Sequence, residues 1–328
     1  MHTIFAVALM IFGTLCLLKG ADWFTDGAGD LAKAIGVSAL FIGIVLAGLE
    51  PEEMLTAAIA SGRGAGDLAL GNVVGTNITI ITLALGLAIL LTPITLAKQT
   101  RTQAIIATAA SLPPIVLLFW GSLSRVAGFL LLLLFAGYTW LLFHFDRPAL
   151  EQREVMEQWE KSSEQHVDAA GPKTYTPEEQ RRYIRKKSVF VILGLALMAL
   201  GGPSLVEGAL ELTRNFGVSQ SAVGLTIVSL GTGAEMIALA IAATRRRATD
   251  ILVGGILGSF AYNLLVTLGL AALIHPLQVP AQISVVALPI MIAAHLVLLG
   301  FFWYGRIPRV IGALYLLTYV GYIALLLH

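Results

Sequence analysis

Acidic residues occur inside apolar stretches at two places in the chain. Glu50, Glu52 and Glu53 interrupt one such stretch, and Glu235 lies within another. A charged carboxylate at the centre of a bilayer costs at least ~2.5–3.5 kcal/mol, so these side chains must face a protein interior or a polar cavity. Carboxylates combined with neutral oxygen donors are the ligands that hard cations such as Ca²⁺ prefer. The residue types therefore indicate a cation site within the apolar part of the protein.

The composition is that of a membrane protein. Hydrophobic residues make up 57% and charged residues 12% of the 328 positions, and the mean hydropathy is +0.84. The apolar runs are about 20 residues long, which suits helices that cross ~30 Å of hydrocarbon rather than barrel strands of about 10 residues. We therefore predict an all-α integral membrane protein surrounded by lipid. A net charge of +1 and a single cysteine give no indication of a nucleic-acid partner, a disulfide or a resident cofactor.

Ten transmembrane helices are predicted from the apolar runs. Their approximate ranges are about 3–18, 37–61, 67–91, 103–120, 126–145, 188–208, 218–243, 250–275, 281–304 and 309–327.

Residues 36–86 and 217–269 repeat one order of features. In each stretch a carboxylate lies in an apolar segment, and a short polar hinge that ends in an aspartate follows it. The motif G-x-x-G-[ST] comes next, at the start of a further apolar segment. The repeats align best when EMLTAAIA, starting at Glu53, is set against EMIALAIA, starting at Glu235. The two stretches are therefore predicted to be the halves of one pseudo-symmetric site. With the hinge length corrected, the same register pairs Asp67 with Asp250, Thr76 with Ser259, Asn77 with Phe260 and Ile80 with Asn263.

A proline marks the expected break in the second span. Pro51 cannot continue a helix that precedes it, but it starts a new helix well. We therefore expect helix two to be interrupted at residues 48–53, and helix seven at the matching GTGAE stretch. The N-terminus of the second half-helix stabilises ionised carboxylates, and freed carbonyl groups can coordinate a cation. On the third span, Thr76 and Asn77 add oxygen donors at a similar depth.

The repeats predict how the halves are arranged. Residues 1–145 and 188–328 each contain five predicted spans, and a polar linker at 146–187 joins them. Because five is an odd number, the second half enters the membrane upside down relative to the first. This inverted duplication places the interrupted segments face to face near the bilayer midplane. Glu53 and Glu235 would then share one cation.

Lys and Arg near the span ends predict the orientation of the chain. The predicted inward loops carry Lys33, Lys98, Arg101, Arg185, Lys186, Lys187, Arg245, Arg246, Arg247, Arg306 and Arg309. The predicted outward loops carry Arg63, Arg125 and Arg214. This excess predicts a multi-pass protein of the cell membrane with both termini outside and residues 146–187 in the cytoplasm.

The two repeats resemble the cation/calcium exchanger superfamily, and in particular its sodium/calcium exchangers. The resemblance rests on GLEPEEM with GNVVGTN in the first repeat, and on GTGAEM with GSFAYN in the second. It implies ten helices in two inverted repeats, and a cation antiporter with Glu53 and Glu235 as the central carboxylates. It also implies neighbouring or coordinating roles for a set of neutral residues, namely Thr76, Ser259, Asn263 and Thr232.

The chain differs from the family pattern at positions near these residues. Neutral oxygen-bearing residues of the family are replaced by Leu49, Glu50, Ile80 and Phe260. The changes remove ligands for sodium, while Glu50 and Glu52 add negative charge. Sodium and proton coupling therefore both stay open. The acid that follows the GN motif in the proton-coupled branch is replaced by Gly75 and Gly258, which favours sodium.

The resemblance and the residues together predict a secondary active antiporter that exchanges Ca²⁺, or another divalent cation, for Na⁺ by alternating access. A proton-coupled exchanger is the alternative within this class. A channel or an organic-solute carrier on the same architecture is the alternative outside it. An enzyme is disfavoured because the chain has no Ser-His-Asp set, HExxH motif or phosphate-binding loop.

Overall fold

The computed structural model describes residues 2–34, 50–95, 98–145, 177–245 and 249–327. In the first half the helices are α1 (His2–Ala34), α2 (Pro51–Gly62), α3 (Gly66–Leu91), α4 (Lys98–Phe119) and α5 (Arg125–Phe145). Two short strands, β1 (Ile94–Thr95) and β2 (Ser122–Leu123), lie at the two ends of α4.

The second half has a parallel set of elements. Its helices are α6 (Pro177–Phe216), α7 (220–232), α8 (Ala234–Arg245), α9 (249–274), α10 (Ile283–Tyr304) and α11 (Arg309–Leu327). The strands are β3 (Leu277–Gln278) and β4 (Arg306–Ile307). Single π-helical turns lie within four of the long helices, at Thr79–Ala84, Gly224–Val228, Asn263–Thr267 and Ile283–Ala287.

Length and surface chemistry show an all-α integral membrane protein. Within the described ranges, six helices are long and apolar enough to cross a membrane, and two further apolar helices are shorter. Large apolar side chains such as Trp120 and Trp303 are exposed on the outside of the helices, where lipid would surround them. The predicted fold class is thereby confirmed. The count of ten spans stays a prediction, because residues 35–49 lie outside the described part.

Two short antiparallel ribbons join the halves of the chain. Strand β1 pairs with β4, and β2 pairs with β3. Strands β1 and β3 occupy equivalent places, since each follows the helix of the third predicted span of its half, α3 or α9. Strands β2 and β4 are likewise equivalent, since each precedes the last helix of its half, α5 or α11. Exchanging the two halves of the chain therefore maps one ribbon onto the other. The ribbons lie at opposite ends of the 22-residue helix α4, which is about 33 Å long. This arrangement is what an inverted duplication requires, and it supports the predicted repeat.

Matching contacts accompany the two ribbons. Arg125 donates a hydrogen bond to the carbonyl oxygen of Ile274 at 3.3 Å, and Arg309 donates one to that of Leu91 at 3.0 Å. Each arginine is the first residue of its helix and contacts the C-terminal end of the helix beside it. The contact therefore recurs in both halves, with the two partners drawn from different halves each time.

Glycines let α3 approach α11, and α5 approach α9. A side chain at Gly312 would meet the backbone of α3, and one at Gly128 would meet the backbone of α9. Close approach of backbones through small residues is a common way for helices to pack in membranes. Helices α1 and α6 pack together in the same manner, with Gly13 against Gly201. Backbone contacts at these three helix pairs therefore accompany the apolar side chains that fill the core.

The two predicted helix interruptions differ in the structure. Helix α2 begins at Pro51, as the sequence predicts, and the half-helix expected before it lies outside the described residues. In the second half the interruption is the single residue Gly233 between α7 and α8. Backbone hydrogen bonds continue across it, from Gly233 to Ser229 at 2.9 Å and from Ile237 to Gly233 at 3.3 Å. Without a proline, the chain turns there with little loss of helical bonding.

The predicted linker ends in a helix. Helix α6 begins at Pro177 and therefore includes the last part of the predicted linker, which was expected to end at residue 187. Residues 146–176 lie outside the described part of the chain.

We expect Gly312→Ala to destabilise the fold. An added Cβ would lie 2.6 Å from the Leu90 nitrogen and 2.7 Å from the Gly86 oxygen, and overpacking of this kind costs about 1–3 kcal/mol. The measurement is thermal unfolding of the purified protein in detergent, followed by tryptophan fluorescence. Gly300→Ala is the matched control, because an added Cβ there meets nothing within 4 Å. Equal melting temperatures for the two variants would contradict the packing argument.

Candidate cation-binding site

The first turn of α2 brings three carboxylates into the protein interior. Glu50 is the N-cap residue of this helix, Pro51 occupies its first position, and Glu52 and Glu53 follow in the first turn. All three glutamates are buried, with exposed fractions of 3% or less. Proline is favourable at the first helical position because its fixed φ angle suits the helix and it has no N–H to leave unpaired. The free N–H groups at this helix end stabilise nearby negative charge.

Helix α3 supplies neutral hydrogen-bond donors to Glu53. Asn72 donates from Nδ2 to Glu53 Oε2 at 2.6 Å, and Thr76 donates from Oγ1 to Glu53 Oε1 at 2.7 Å. The two donors are four residues apart, so they lie on the same face of α3. Both carboxylate oxygens are therefore held by α3, and all three side chains are fully buried.

A threonine from the second half completes this cluster. Thr232 is the last residue of α7, and its Oγ1 lies 3.1 Å from Asn72 Oδ1, 3.4 Å from Thr76 Oγ1 and 3.0 Å from the Val228 oxygen of its own helix. The Asn72 amide has its nitrogen toward Glu53 and its oxygen toward Thr232. We call Glu53, Asn72, Thr76 and Thr232 the Glu53 cluster. It joins both halves of the chain through buried polar groups.

Glu50 takes part in a separate cluster with α9. Asn263 donates from Nδ2 to Glu50 Oε2 at 2.7 Å, and Thr267 donates to Asn263 Oδ1 at 3.3 Å. Asn263 and Thr267 begin and end the π-helical turn of α9, and both are fully buried. We call Glu50, Asn263 and Thr267 the Glu50 cluster. The carboxylates of Glu50 and Glu53 thus contact different helices, although they arise from the same turn of α2.

The remaining predicted site residues lie close in sequence to these clusters. Glu52 is fully buried beside them. Asn77 is also buried, but it donates from Nδ2 to the Val73 oxygen of its own helix at 2.8 Å. Ser259 is buried, and its Oγ has no hydrogen-bond partner within the described residues. The backbone of Glu235 belongs to α8, while its side chain lies outside the described residues, so its predicted position opposite Glu53 stays a prediction.

The described ligand set is mainly neutral. In the parts of the chain that the structure describes, no three His, Cys, Asp or Glu side chains lie close enough together to hold a metal ion. A cation bound here would therefore combine few carboxylates with amide and hydroxyl oxygens. That mixture is typical of sites for hard cations such as Ca²⁺.

Two residues of the clusters were not among the predicted site residues. Asn72 lies in the GNVVGTN motif one turn before Thr76, and Thr267 lies one turn after Asn263. Their spacing of four residues could have pointed to a shared helix face. Their importance depends on contacts between helices, which no single motif displays.

Comparisons with known proteins agree on one family. A family model described as "Sodium/calcium exchanger protein" matches residues 5–144 and 186–328. The putative antiporter CaxA of Alkalimonas amylolytica is 30% identical and covers 97% of each chain. The sodium/calcium exchanger MaX1 of Methanosarcina acetivorans is 27% identical and covers 98% of each chain. A solved structure of the sodium-calcium exchanger NCX_Mj, soaked with Na⁺ and Sr²⁺, aligns with a TM-score of 0.65 at 26% identity over 98% of both chains.

A helical membrane fold with buried carboxylates that lie between the two halves of the chain is typical of a secondary transporter for small cations. The chain belongs to the sodium/calcium exchanger protein family. It is therefore a membrane cation antiporter and not an enzyme. This assignment confirms the resemblance seen in the sequence, and it excludes the channel and organic-solute alternatives.

We expect Thr232→Val to weaken divalent-cation binding. The change keeps the shape of the side chain but removes the hydroxyl that lies 3.1 Å from Asn72 Oδ1. Loss of one buried hydrogen bond is worth about 1–2 kcal/mol, so the affinity should fall about 5- to 30-fold. The measurement is calorimetric titration of the purified protein with Ca²⁺. Thr318→Val is the control, because the exposed Thr318 hydroxyl bonds to Leu314 of its own helix. Unchanged affinity in Thr232→Val would remove Thr232 from the site.

Proposed function

We propose that the protein exchanges Ca²⁺, or a closely similar divalent cation, for Na⁺ by alternating access. The family supports this proposal, since the relative MaX1 is named a sodium/calcium exchanger. The structures of NCX_Mj support it as well, because that exchanger was soaked with Na⁺ together with Sr²⁺ or Ca²⁺. Inorganic cations are accordingly the transported substrates, and the surrounding partner is membrane lipid.

The observation that carries the proposal is the environment of the Glu53 carboxylate. It is fully buried, and its described hydrogen bonds come from the neutral groups of Asn72 and Thr76. Of the described arginines, Arg63 pairs with Glu207 and Arg214 with Glu211, and these four side chains are a quarter or more exposed. A buried carboxylate is neutralised either by a compensating positive charge or by a proton. We infer that the transported cation supplies this charge to Glu53.

The Glu53 cluster can change from holding a carboxylate to holding a cation with small movements. The hydroxyls of Thr76 and Thr232 can turn their protons away and present oxygen, because a hydroxyl is both donor and acceptor. Asn72 already carries an oxygen beside Thr232. With Glu235 from the second half, these groups form a mixed carboxylate and neutral oxygen site. Glu52, Asn77 and Ser259 are the further oxygen-bearing residues in this proposal.

The proposed transport unit is the whole pair of repeats. Residues 1–145 and 188–328 form the two inverted halves, and residues 146–187 connect them. The family match supports this division, because it ends at residue 144 and resumes at residue 186. The exchanged ribbons and the matching arginine contacts support the inverted relation. We further propose that both termini lie on the outer side of the cell membrane and that the linker, residues 146–187, lies in the cytoplasm.

Alternating access follows from the cost of moving charge through lipid. A site with uncompensated carboxylates is costly to carry across the membrane, whereas a site neutralised by a divalent cation or by monovalent cations is not. Movement is therefore coupled to occupancy, and the two kinds of ion take turns. The proton-coupled version differs only in the ion that neutralises the carboxylates on the return step.

Flux through proteoliposomes tests the proposal. Vesicles loaded with Na⁺ should take up radiolabelled Ca²⁺ from a Na⁺-free medium at equal pH, and a pH gradient without Na⁺ tests the proton-coupled alternative. Glu53→Gln and Glu235→Gln should each lower uptake at least about tenfold, equivalent to ~1.4 kcal/mol of lost stabilisation. Glu211→Gln is the control, because Glu211 pairs with Arg214 outside the clusters. Normal uptake in both site variants would reject the assigned site.

A further inference from the structure

We propose that Tyr322 of α11 is a positioning residue for the cation site. Its hydroxyl holds the π-helical turn of α7, and that turn directs Thr232 toward Asn72 and Thr76. The inference rests on the cation-binding function proposed above for the Glu53 cluster. It extends that function to a residue whose described hydrogen bond goes to the backbone of α7 and not to a member of the cluster.

The π-helical turn at Gly224–Val228 changes the hydrogen bonding of α7. In an α-helix the Ser229 N–H would bond to the oxygen of Leu225, four residues earlier. Here it bonds to the oxygens of Gly224 and Thr226 instead. The Leu225 oxygen is therefore released from its α-helical partner at the point where the helix widens.

Two side-chain hydroxyls bind the released oxygen. The Tyr322 hydroxyl donates to the Leu225 oxygen at 2.9 Å, and the Ser229 hydroxyl donates to it at 2.8 Å. Tyr322 is buried, and a buried backbone carbonyl needs such partners. A hydrogen bond from another helix keeps this carbonyl tilted away from the axis of α7. The Tyr322 hydroxyl therefore favours the π-helical form of the turn over the α-helical form.

The π-helical turn sets the direction in which Thr232 points. Each residue of an α-helix advances by about 100°, and a π-helical turn contains about one residue more than an α-helical turn. A return to α-helical bonding would therefore rotate Thr232 by about 100° relative to Gly224. Gly224 is fixed against α3, because a Cβ there would lie 2.6 Å from the Leu68 oxygen. The rotation would carry the Thr232 hydroxyl away from Asn72 Oδ1, which now lies 3.1 Å from it.

The carbonyl that Tyr322 binds lies where α7 crosses α3. A Cβ at Gly75 would lie 2.7 Å from the Leu225 oxygen and 2.8 Å from the Ser229 Cβ. Gly75 directly precedes Thr76, whose hydroxyl donates to Glu53 at 2.7 Å. A change at the Leu225 carbonyl therefore reaches the cation site over a short distance.

The first half carries a matching tyrosine. Tyr138 and Tyr322 each lie 13 residues after the arginine that begins their helix. Both are buried, and each lies beside an aromatic ring three residues earlier. The ring centroids are 6.1 Å apart for Phe135 and Tyr138, and 6.2 Å apart for Tyr319 and Tyr322. A buried tyrosine at the same place in both halves indicates a role tied to the repeat, although the first-half counterpart of α7 lies outside the described residues.

The hydroxyl of Tyr322 is tested against that of Tyr315. Tyr315 lies on the same helix, is similarly buried, and donates to the Ala294 oxygen of α10 at 2.8 Å. We expect Tyr322→Phe to lower the Ca²⁺ affinity of the purified protein about 3- to 10-fold, the range that one buried hydrogen bond supports. Tyr315→Phe should leave the affinity within about twofold of the unmodified protein. The melting temperatures of the two variants should fall alike, and calorimetric titration and thermal unfolding in detergent measure both quantities.

The Thr232→Val background shows whether Tyr322 acts through Thr232. In that background Tyr322→Phe should change the Ca²⁺ affinity by less than about twofold, because the effects of two residues that act through one group do not add. Peptide-resolved hydrogen exchange gives a second readout. Tyr322→Phe should speed exchange of the amides in residues 220–232, and Tyr315→Phe should not.

The outcomes separate this inference from the proposed function. If the unmodified protein binds no Ca²⁺, the proposed cation site and this inference are both rejected. If it binds Ca²⁺ and Tyr322→Phe keeps the unmodified affinity, only the positioning role is wrong. That role is equally wrong if Tyr315→Phe weakens binding as much, if the effects of Tyr322→Phe and Thr232→Val add, or if amide exchange in residues 220–232 is unchanged. Loss of the fold in Tyr322→Phe alone would assign a structural role to this residue and overturn the proposal as well.

Discussion

The structure depends on holding the Glu53 carboxylate in an apolar interior. Asn72 and Thr76 donate to its two oxygens at 2.6 and 2.7 Å, and Thr232 from the other half lies 3.1 Å from the Asn72 oxygen. Neutral hydrogen bonds lower the cost of burying this group without cancelling its charge. A buried lysine or arginine would stabilise the fold more directly, but it would also occupy the place of a cation. In the proposed function, the transported cation supplies the positive charge that the described neighbours of Glu53 do not.

The surrounding helices pack closely through small residues. Glycine contacts between α3 and α11, and between α5 and α9, allow backbones to touch, and one arginine hydrogen bond to a helix end accompanies each contact. The ribbons tie the ends of these helices together at two levels. Polar side chains can then be concentrated at the start of α2 and on the facing sides of α3 and α9.

Local signals predicted the fold better than they predicted the site. The start of α2 at Pro51 and the bounds of α11 were predictable because proline and apolar run length act within one segment. Asn72 and Thr267 were not predicted, since their roles arise where helices meet. The interruption of helix seven was predicted at the GTGAE stretch, and the structure has it there at Gly233; its short length reflects the absence of a proline. The side-chain position of Glu235 lies outside the described residues and stays a prediction.

The two repeats differ at the level where their symmetry matters most. On α3 the amide of Asn72 lies one turn before the hydroxyl of Thr76, whereas on α9 the amide of Asn263 lies one turn after the hydroxyl of Ser259. In the repeat register, Ser259 corresponds to Thr76, so the amides are displaced in opposite directions from equivalent positions. Two glutamates in one turn of α2 can then each find an amide, Glu53 on α3 and Glu50 on α9. A symmetric pair of helices would offer both carboxylates the same environment. The asymmetry therefore gives the two carboxylates different neutral partners, Asn72 and Thr76 for Glu53 and Asn263 for Glu50.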